Sequence, residues 1–310
     1  PNAGEQNGSE ALVRGIAERF TQQGRKVGGF DAVTVSDVPK GSGLSSSAAF
    51  SILVSTIFSE LYNDGKITPV EQALASKYAE NKHFGKPSGL MDQLACAVGG
   101  FVMMDFEQPE QPKIEKIDCD LAALGYEICI VNCGGNHADL TPEYAVVTKE
   151  MGDVARYFGK SVLREVDEKE FYASLGQLRK TVSDRALLRA MHFFGDNARV
   201  PKQAEALKQK DIETFRNLMN ESGRSSFMLL QNVWPTDASP PGPPPRAAAS
   251  ERMLARKGAW RVHGGGFAGT ILALVPLELL PAYQSQMERV FGQGCCYRFA
   301  VRPAGGTKIG

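Results

Sequence analysis

Residues 39–49, PKGSGLSSSAA, place two glycines and four serines directly ahead of AAFSILVSTIFSELYN, an apolar run long enough to be a buried helix. A glycine loop that ends in such a helix gathers unpaired backbone N–H groups at the helix's positive end, a setting that suits phosphate oxygens. Serine hydroxyls add donors, or an oxygen ligand for magnesium. Ordinary helix capping is the plain alternative, because serine is common before a helix. The common P-loop places lysine after its last glycine, whereas Lys40 precedes both Gly41 and Gly43, so this is a different loop.

Two acids form the second candidate. Glu80 lies near the end of a helical stretch, and Asp92 lies in SGLMDQL, a mostly apolar setting where an acid is uncommon unless it is paired or used. The third candidate is RVHGGGFAGTILALVP, where Gly264, Gly266 and Gly269 reproduce a GxGxxG spacing. A strand-like run follows these glycines where a dinucleotide fingerprint needs a helix, so the segment reads as two strands joined by a turn. Its bare backbone would let a ligand approach closely. His137, His192 and His263 read as structural or binding-site neighbours and not as bases.

The elements around these candidates alternate in type, which argues for an α+β fold. Leu12, Ile16 and Phe20 predict a helix over 9–22, and DAVTVSDVP alternates like a strand leading into the serine loop. Thr68, Pro69 and Glu71 predict a capped helix running to about Phe84, with Val70, Leu74 and Tyr78 as its apolar stripe. FVMMDF, YEICIV, AWRVH, TILALV and YRFAV read as strands. Between the strands, helices are predicted on Tyr144, Val147, Met151, Val154 and Phe158, on ALLRAMHFF, and on AEALKQKDIETFRNLM. Proline-dense residues 234–250 predict an exposed loop.

The chain has 310 residues, enough for a sizeable core in one large or two ordinary domains. Its 35 basic and 35 acidic residues balance, so no overall field favours nucleic acid or a membrane surface. The six cysteines show neither zinc-site nor disulfide spacing, which fits a reduced cytoplasmic setting. No apolar run approaches the roughly 20 residues needed to span a bilayer.

In order, VPKGSGLSSSAAF, AENKHFGKPSGLMDQ, NHADLTPEYA, RVHGGGFAGTILALVP and VRPAGGTKI resemble the galactokinases, of the galactokinase, homoserine, mevalonate and phosphomevalonate (GHMP) kinase superfamily. The resemblance implies a two-domain GHMP kinase fold, a mixed sheet with helices in each domain, and an active site in the cleft between them. It places the remainder of the nucleotide-binding domain at 1–125 and the carboxyl-terminal domain at 126–310. The implied reaction moves the terminal phosphate of ATP to the C1 hydroxyl of galactose, an alcohol acceptor. By position, Gly41, Gly43, Leu44, Ser45, Ser46, Ser47 and Ala48 match the phosphate loop, Ser46, Ser47 and Glu80 the magnesium ligands, and Asp92 the catalytic base. Gly89, Asp92, Tyr144, Gly264, Gly265 and Gly266 match the sugar-side positions. The implied partners are ATP and a small sugar, bound by a cytoplasmic monomer.

Two departures accompany the resemblance. No GRxNLIGEHTDY-type motif occurs, and the first residue is proline, so an amino-terminally truncated chain with weak or absent activity is expected. PTDASPPGPPPRAAAS stands where relatives carry a helix rich in Leu and Ala, through either a frameshift or a replaced loop. Kinases of N-acetylgalactosamine or arabinose, a non-catalytic galactose sensor and an inactive gene fragment are the alternative readings.

Overall fold

The computed structural model describes residues 4, 6, 8–38, 44–85, 88–132, 141–234, 243–254, 256–267 and 269–309. The chain divides into two compact units. The first holds the residues up to Asp118, together with those from Val301 onward; the second holds Cys119–Ala300. The last residues thus return to the first unit.

Unit 1 contains helices α1 (Ser9–Gln22), α2 (Ser46–Tyr62), α3 (Pro69–Ala79) and α4 (Met91–Val98). An antiparallel pair follows, β1 (Phe101–Asp105) and β2 (Lys113–Ile117), with Met103 opposite Glu115. The α1 stripe is as the spacing predicts: Leu12, Ile16 and Phe20 are buried against Val54, Phe58, Ala75 and Ala79. Thr68 caps α3 through a capping box with Glu71, and Pro69 opens its first turn, where the missing N–H costs nothing. The buried face of α3 differs from the expected one. Gln72, Ala73, Ala75, Ser76 and Ala79 are buried, whereas Val70, Leu74 and Tyr78 are only partly so. Small side chains let α3 lie close to its neighbours, and the polar ones are satisfied across the contact: Ser76 Oγ lies 3.1 Å from Ser55 Oγ, and Thr56 donates to Gln72 at 3.1 Å.

Among its described residues, the expected strand over DAVTVSDVP shows no ladder. Residues 31–37 carry no secondary structure and are all exposed, because a strand forms only where a second chain segment completes its ladder. Conversely β2, which pairs with β1, has too short and too charged an alternation to stand out in sequence.

Unit 2 is built on a four-stranded antiparallel sheet, in order β4-β5-β3-β6, from β3 (Tyr126–Asn132), β4 (Ala259–Val262), β5 (Thr270–Pro276) and β6 (Cys296–Phe299). Central strand β3 sets Cys129 opposite Ala273 on one side and Arg298 on the other. One core joins Cys129, Val131, Val262, Ile271 and Ala273 to Tyr283 and Met287. A second core lies between α5 (Thr141–Tyr157) and later helices, where Val154, Phe171, Leu178, Leu187 and Phe194 meet.

Short helices α6 (Glu168–Ala173) and α7 (Leu175–Leu178) lead to α8 (Asp184–Lys208) and α9 (Ile212–Ser225). The sequence suggests a break between ALLRAMHFF and AEALKQK, yet α8 runs through both and carries Pro201 inside. The break comes instead at Asp211, whose side chain accepts from Thr214 N–H at 3.0 Å and caps α9. The proline block also needs correction. Residues 235–242 lie outside the described residues, but α10 (Pro243–Leu254) is helical, with Pro243, Pro244, Arg246, Ala247 and Ser250 buried. Three prolines stand in its first turn, where no backbone donor is lost to the ladder and φ is already helical. Helix α11 (Leu280–Phe291) completes the unit, and Tyr283 OH lies 2.7 Å from Ser250 Oγ.

Candidate active site

In unit 1 the serines occupy the start of α2. Ser45 is its N-cap residue and takes a left-handed conformation, φ 55° and ψ 52°, which is uncommon outside glycine and here turns the loop into the helix. Ser46 and Ser47 form the first turn, and Ala48 is buried beneath them. Gly41 and Gly43 lie outside the described residues, while Leu44 is half-buried. Asp92 stands in the first turn of α4 and is exposed. Ser45 Oγ donates a hydrogen bond to Asp92 Oδ2, so two residues that are 47 apart in sequence meet. That hydrogen bond leaves a solvent-accessible carboxylate directly beside the end of a helix whose free N–H groups favour anions.

Glu80 is placed differently. It begins a π-helical turn, Glu80–Phe84, that continues α3, and only 1% of it is exposed. Gln93, next to Asp92 on α4, donates to Glu80 Oε2 at 2.8 Å. Glu80 Oε1 is buried without a hydrogen-bond partner. An orphaned buried carboxylate oxygen is costly unless something fills its coordination. Magnesium takes oxygen ligands, commonly one or two carboxylates together with substrate phosphates and water, so Glu80 and the hydroxyls of Ser46 and Ser47 fit its chemistry. Among the described residues no group of three or more His, Cys, Asp or Glu side chains forms an all-protein metal cage. Gly89 is exposed, with open space where a side chain would stand.

In unit 2 the triple glycine joins β4 to β5 as a turn. Gly264 and Gly266 have φ of +64° and +80°, and Phe267 follows at +61°. Tyr144, from α5, donates through its hydroxyl to the Gly266 carbonyl at 3.0 Å, and its ring meets Phe267 edge-on at 5.6 Å. A β-carbon on Gly265 would lie 2.6 Å from the Tyr144 ring. Burial pushes the Tyr144 phenol above its ordinary pKa, so it stays protonated and remains a donor at neutral pH. Asn232 holds the turn from the other side: its amide donates to Gly265 O at 3.0 Å, and its own carbonyl accepts from Phe267 N–H. Beside this turn Glu143, Arg185, Gln231, Trp234 and Phe267 line a cavity of about 410 Å³.

Within each unit, then, the named residues converge in two sets: Ser45 with Asp92, and Glu80 one residue away through Gln93, in unit 1; Tyr144 with Gly264–Gly266 in unit 2. Gln93 and Asn232 were not singled out from the sequence. Gln93 stands in the MDQ segment, but an amide carries no chemical signal until the buried acid it bonds is seen. His192 is buried with Nδ1 2.9 Å from Ser225 Oγ, and the His263 N–H donates to Thr270 O at 3.0 Å, both parts of the scaffold. No helix among the described residues is long and apolar enough to cross a membrane.

These features define a class. Residues 11–100 match the GHMP kinases N terminal domain family, and the chain has the two-domain α+β fold of the GHMP kinases. Lactococcus lactis galactokinase, solved in complex with galactose, superposes with a TM-score of 0.75 at 22% identity, covering 100% of this chain and 78% of that one. L. major mevalonate kinase in complex with R-mevalonate gives a TM-score of 0.56 at 16% identity, with 96% and 78% covered. Streptococcus pneumoniae phosphomevalonate kinase, in complex with phosphomevalonate and AMPPNP, gives 0.60 at 11% identity, with 97% and 82% covered.

Proposed function

We propose that this chain is a sugar kinase that transfers the terminal phosphate of ATP to the C1 hydroxyl of galactose, giving galactose 1-phosphate. The observation that carries the reading is the contact of Asp92 with Ser45 at the N-terminus of α2. Phosphoryl transfer asks the protein to position phosphates, offset their charge and relieve the acceptor hydroxyl of its proton. Helix α2 supplies free N–H groups and the hydroxyls of Ser45, Ser46 and Ser47. Asp92, exposed at the start of α4, takes the proton of the sugar hydroxyl as that oxygen attacks. Ser45, donating to the same carboxylate, orients it.

Magnesium, when bound, offsets charge on the phosphate oxygens; Glu80, Ser46 and Ser47 would hold it. Gln93 fixes the Glu80 carboxylate by its hydrogen bond, leaving the second oxygen free for the ion. On the sugar side, Tyr144 and Asn232 hold the turn rigid through the Gly266 and Gly265 carbonyls, and Gly264, with open space where a side chain would stand, leaves the backbone accessible to a hydroxylated substrate. The galactose of the Lactococcus lactis galactokinase complex and the AMPPNP of the phosphomevalonate kinase complex support the choice of substrates.

The test is sugar-dependent ADP release by the purified chain, with galactose, N-acetylgalactosamine, arabinose and mevalonate as competing acceptors. Slow release that galactose stimulates most is expected. Asp92→Asn should lower it 100-fold to 10,000-fold, the usual contribution of a general base. Release stimulated by mevalonate alone, or undiminished in Asp92→Asn, would refute the assignment.

A further inference from the structure

Arg189, on α8, is only 2% exposed and is among the largest side chains that the fold closes over. Its guanidinium makes two hydrogen bonds in different directions. Nη1 donates to Glu150 Oε2, on α5, at 2.7 Å, and Nε donates to the Leu230 carbonyl at 3.1 Å. Glu150 is also paired with Arg185, whose Nη2 donates to its Oε1 at 2.7 Å. Offsetting that acid therefore does not call for a second, buried arginine, and burying a charge is costly. What Arg189 adds is the bond to Leu230.

Leu230 ends the π-helical turn Ser226–Leu230, where a terminal carbonyl has no helical N–H to accept from and a cation is favoured. The chain then reverses through Gln231 at φ 58° and ψ 39°, a left-handed conformation uncommon for a residue with a side chain. Asn232 follows directly, buried, and grips the glycine turn at two points: its amide donates to Gly265 O at 3.0 Å and its carbonyl accepts from Phe267 N–H. Two routes thus run from α5 to the turn. Tyr144 reaches Gly266 O directly, and Glu150, further along the helix, reaches Gly265 and Phe267 through Arg189, Leu230 and Asn232.

We propose that Arg189 is a positioning residue for the acceptor side of the site: it fixes the Leu230 carbonyl, and through Asn232 the Gly264–Gly266 turn, in the geometry that binds the sugar. The role rests on the reading of this turn as the sugar side. A planar guanidinium suits it because its donors keep fixed directions, whereas a lysine ammonium is a point charge and cannot hold Glu150 and Leu230 in the same way. An ion pair that served stability alone would be replaceable by apolar packing.

The experiment compares Arg189→Lys, which keeps the charge, and Arg189→Met, which keeps only the bulk, with Leu187→Ala, a packing loss on the same helix. The first readout is amide hydrogen exchange at Phe267, whose N–H bonds Asn232 O. Both Arg189 variants should speed it at least about tenfold where the protein stays folded, as local opening does, and Leu187→Ala should not. The second readout is steady-state ADP release. The Arg189 variants should raise the galactose KM about tenfold while kcat and the ATP KM hold, the pattern of lost sugar binding rather than lost chemistry. Unchanged exchange at Phe267 overturns the proposal. So does faster exchange with an unchanged galactose KM, which would leave Arg189 a scaffold residue, and so does an equal response to Leu187→Ala. If the unaltered chain releases no ADP in response to galactose, the proposed reaction fails, and exchange at Phe267 by itself still decides whether Arg189 fixes the turn.

Discussion

Gly266 shows how a single residue can hold a site. At φ +80° its backbone lies where an L side chain costs about 1–2 kcal/mol, and a β-carbon would also collide with the Asn232 carbonyl oxygen. Gly266→Ala should therefore lose more than that strain alone, and each kcal/mol lost lowers Tm by about 2–4 °C for domains of roughly this size. Differential scanning calorimetry checks it; an unchanged Tm would mean that the turn relaxes freely. Gly264 carries no such collision and should tolerate alanine better. The sequence marked all three glycines alike. Their inequality comes from Asn232, 34 residues before Gly266, which no spacing connects to the turn.

Helices α8 and α9 carry a prediction of their own. His192 is buried between them, and burial holds its imidazole below the ordinary pKa, against the opposing pull of Asp196 and alongside the charges of Arg199 and Arg261. Because the folded pKa is depressed, the neutral form is the one that folding favours. This contribution to stability is full above the ordinary histidine value of about 6.5 and is lost as pH falls from there through the folded pKa. Urea unfolding from pH 7.5 to pH 5 should show the loss. His192→Gln, able to keep a hydrogen bond to Ser225, should flatten that part of the profile. Periodicity identified two helices here but misplaced the break between them, because the apolar spacing does not show where a helix ends and the Asp211 cap does. Reading proline as a helix breaker misled at Pro243–Pro245, where prolines open α10.

At the scale of the whole molecule, the chain closes on itself: after β6 in unit 2, residues 301–309 pack in unit 1. Gly100 N–H donates to Arg302 O at 2.7 Å, and Lys116 Nζ to Pro303 O at 2.6 Å. Side chains on Gly305 or Gly306 would collide with Ala97 O or Thr56 Oγ1. Together with α2 and α4 the segment lines a cavity of about 540 Å³. Removing residues 301–310 should therefore loosen α2, α4, β1 and β2 while leaving the unit 2 sheet intact. Limited proteolysis followed by mass spectrometry would show new cuts within residues 44–118; cuts confined to unit 2 would contradict this. The sequence motif VRPAGGTKI carries glycines for close approach, but not the identity of what they approach.

The sequence by itself determined the α+β class, the α1 stripe, the α3 cap, the strands over FVMMDF, YEICIV, AWRVH, TILALV and YRFAV, and which side chains had chemistry suited to phosphate, metal and proton. Those properties are local, set by side-chain type and by the periods of helix and strand. Only the tertiary structure decided that Ser45 and Asp92 touch, that Glu80 is buried against Gln93 with one oxygen free, and that Tyr144 and Asn232 brace the glycine turn. Each depends on which distant segment arrives beside a residue, and that is set by packing of the whole chain rather than by any local pattern.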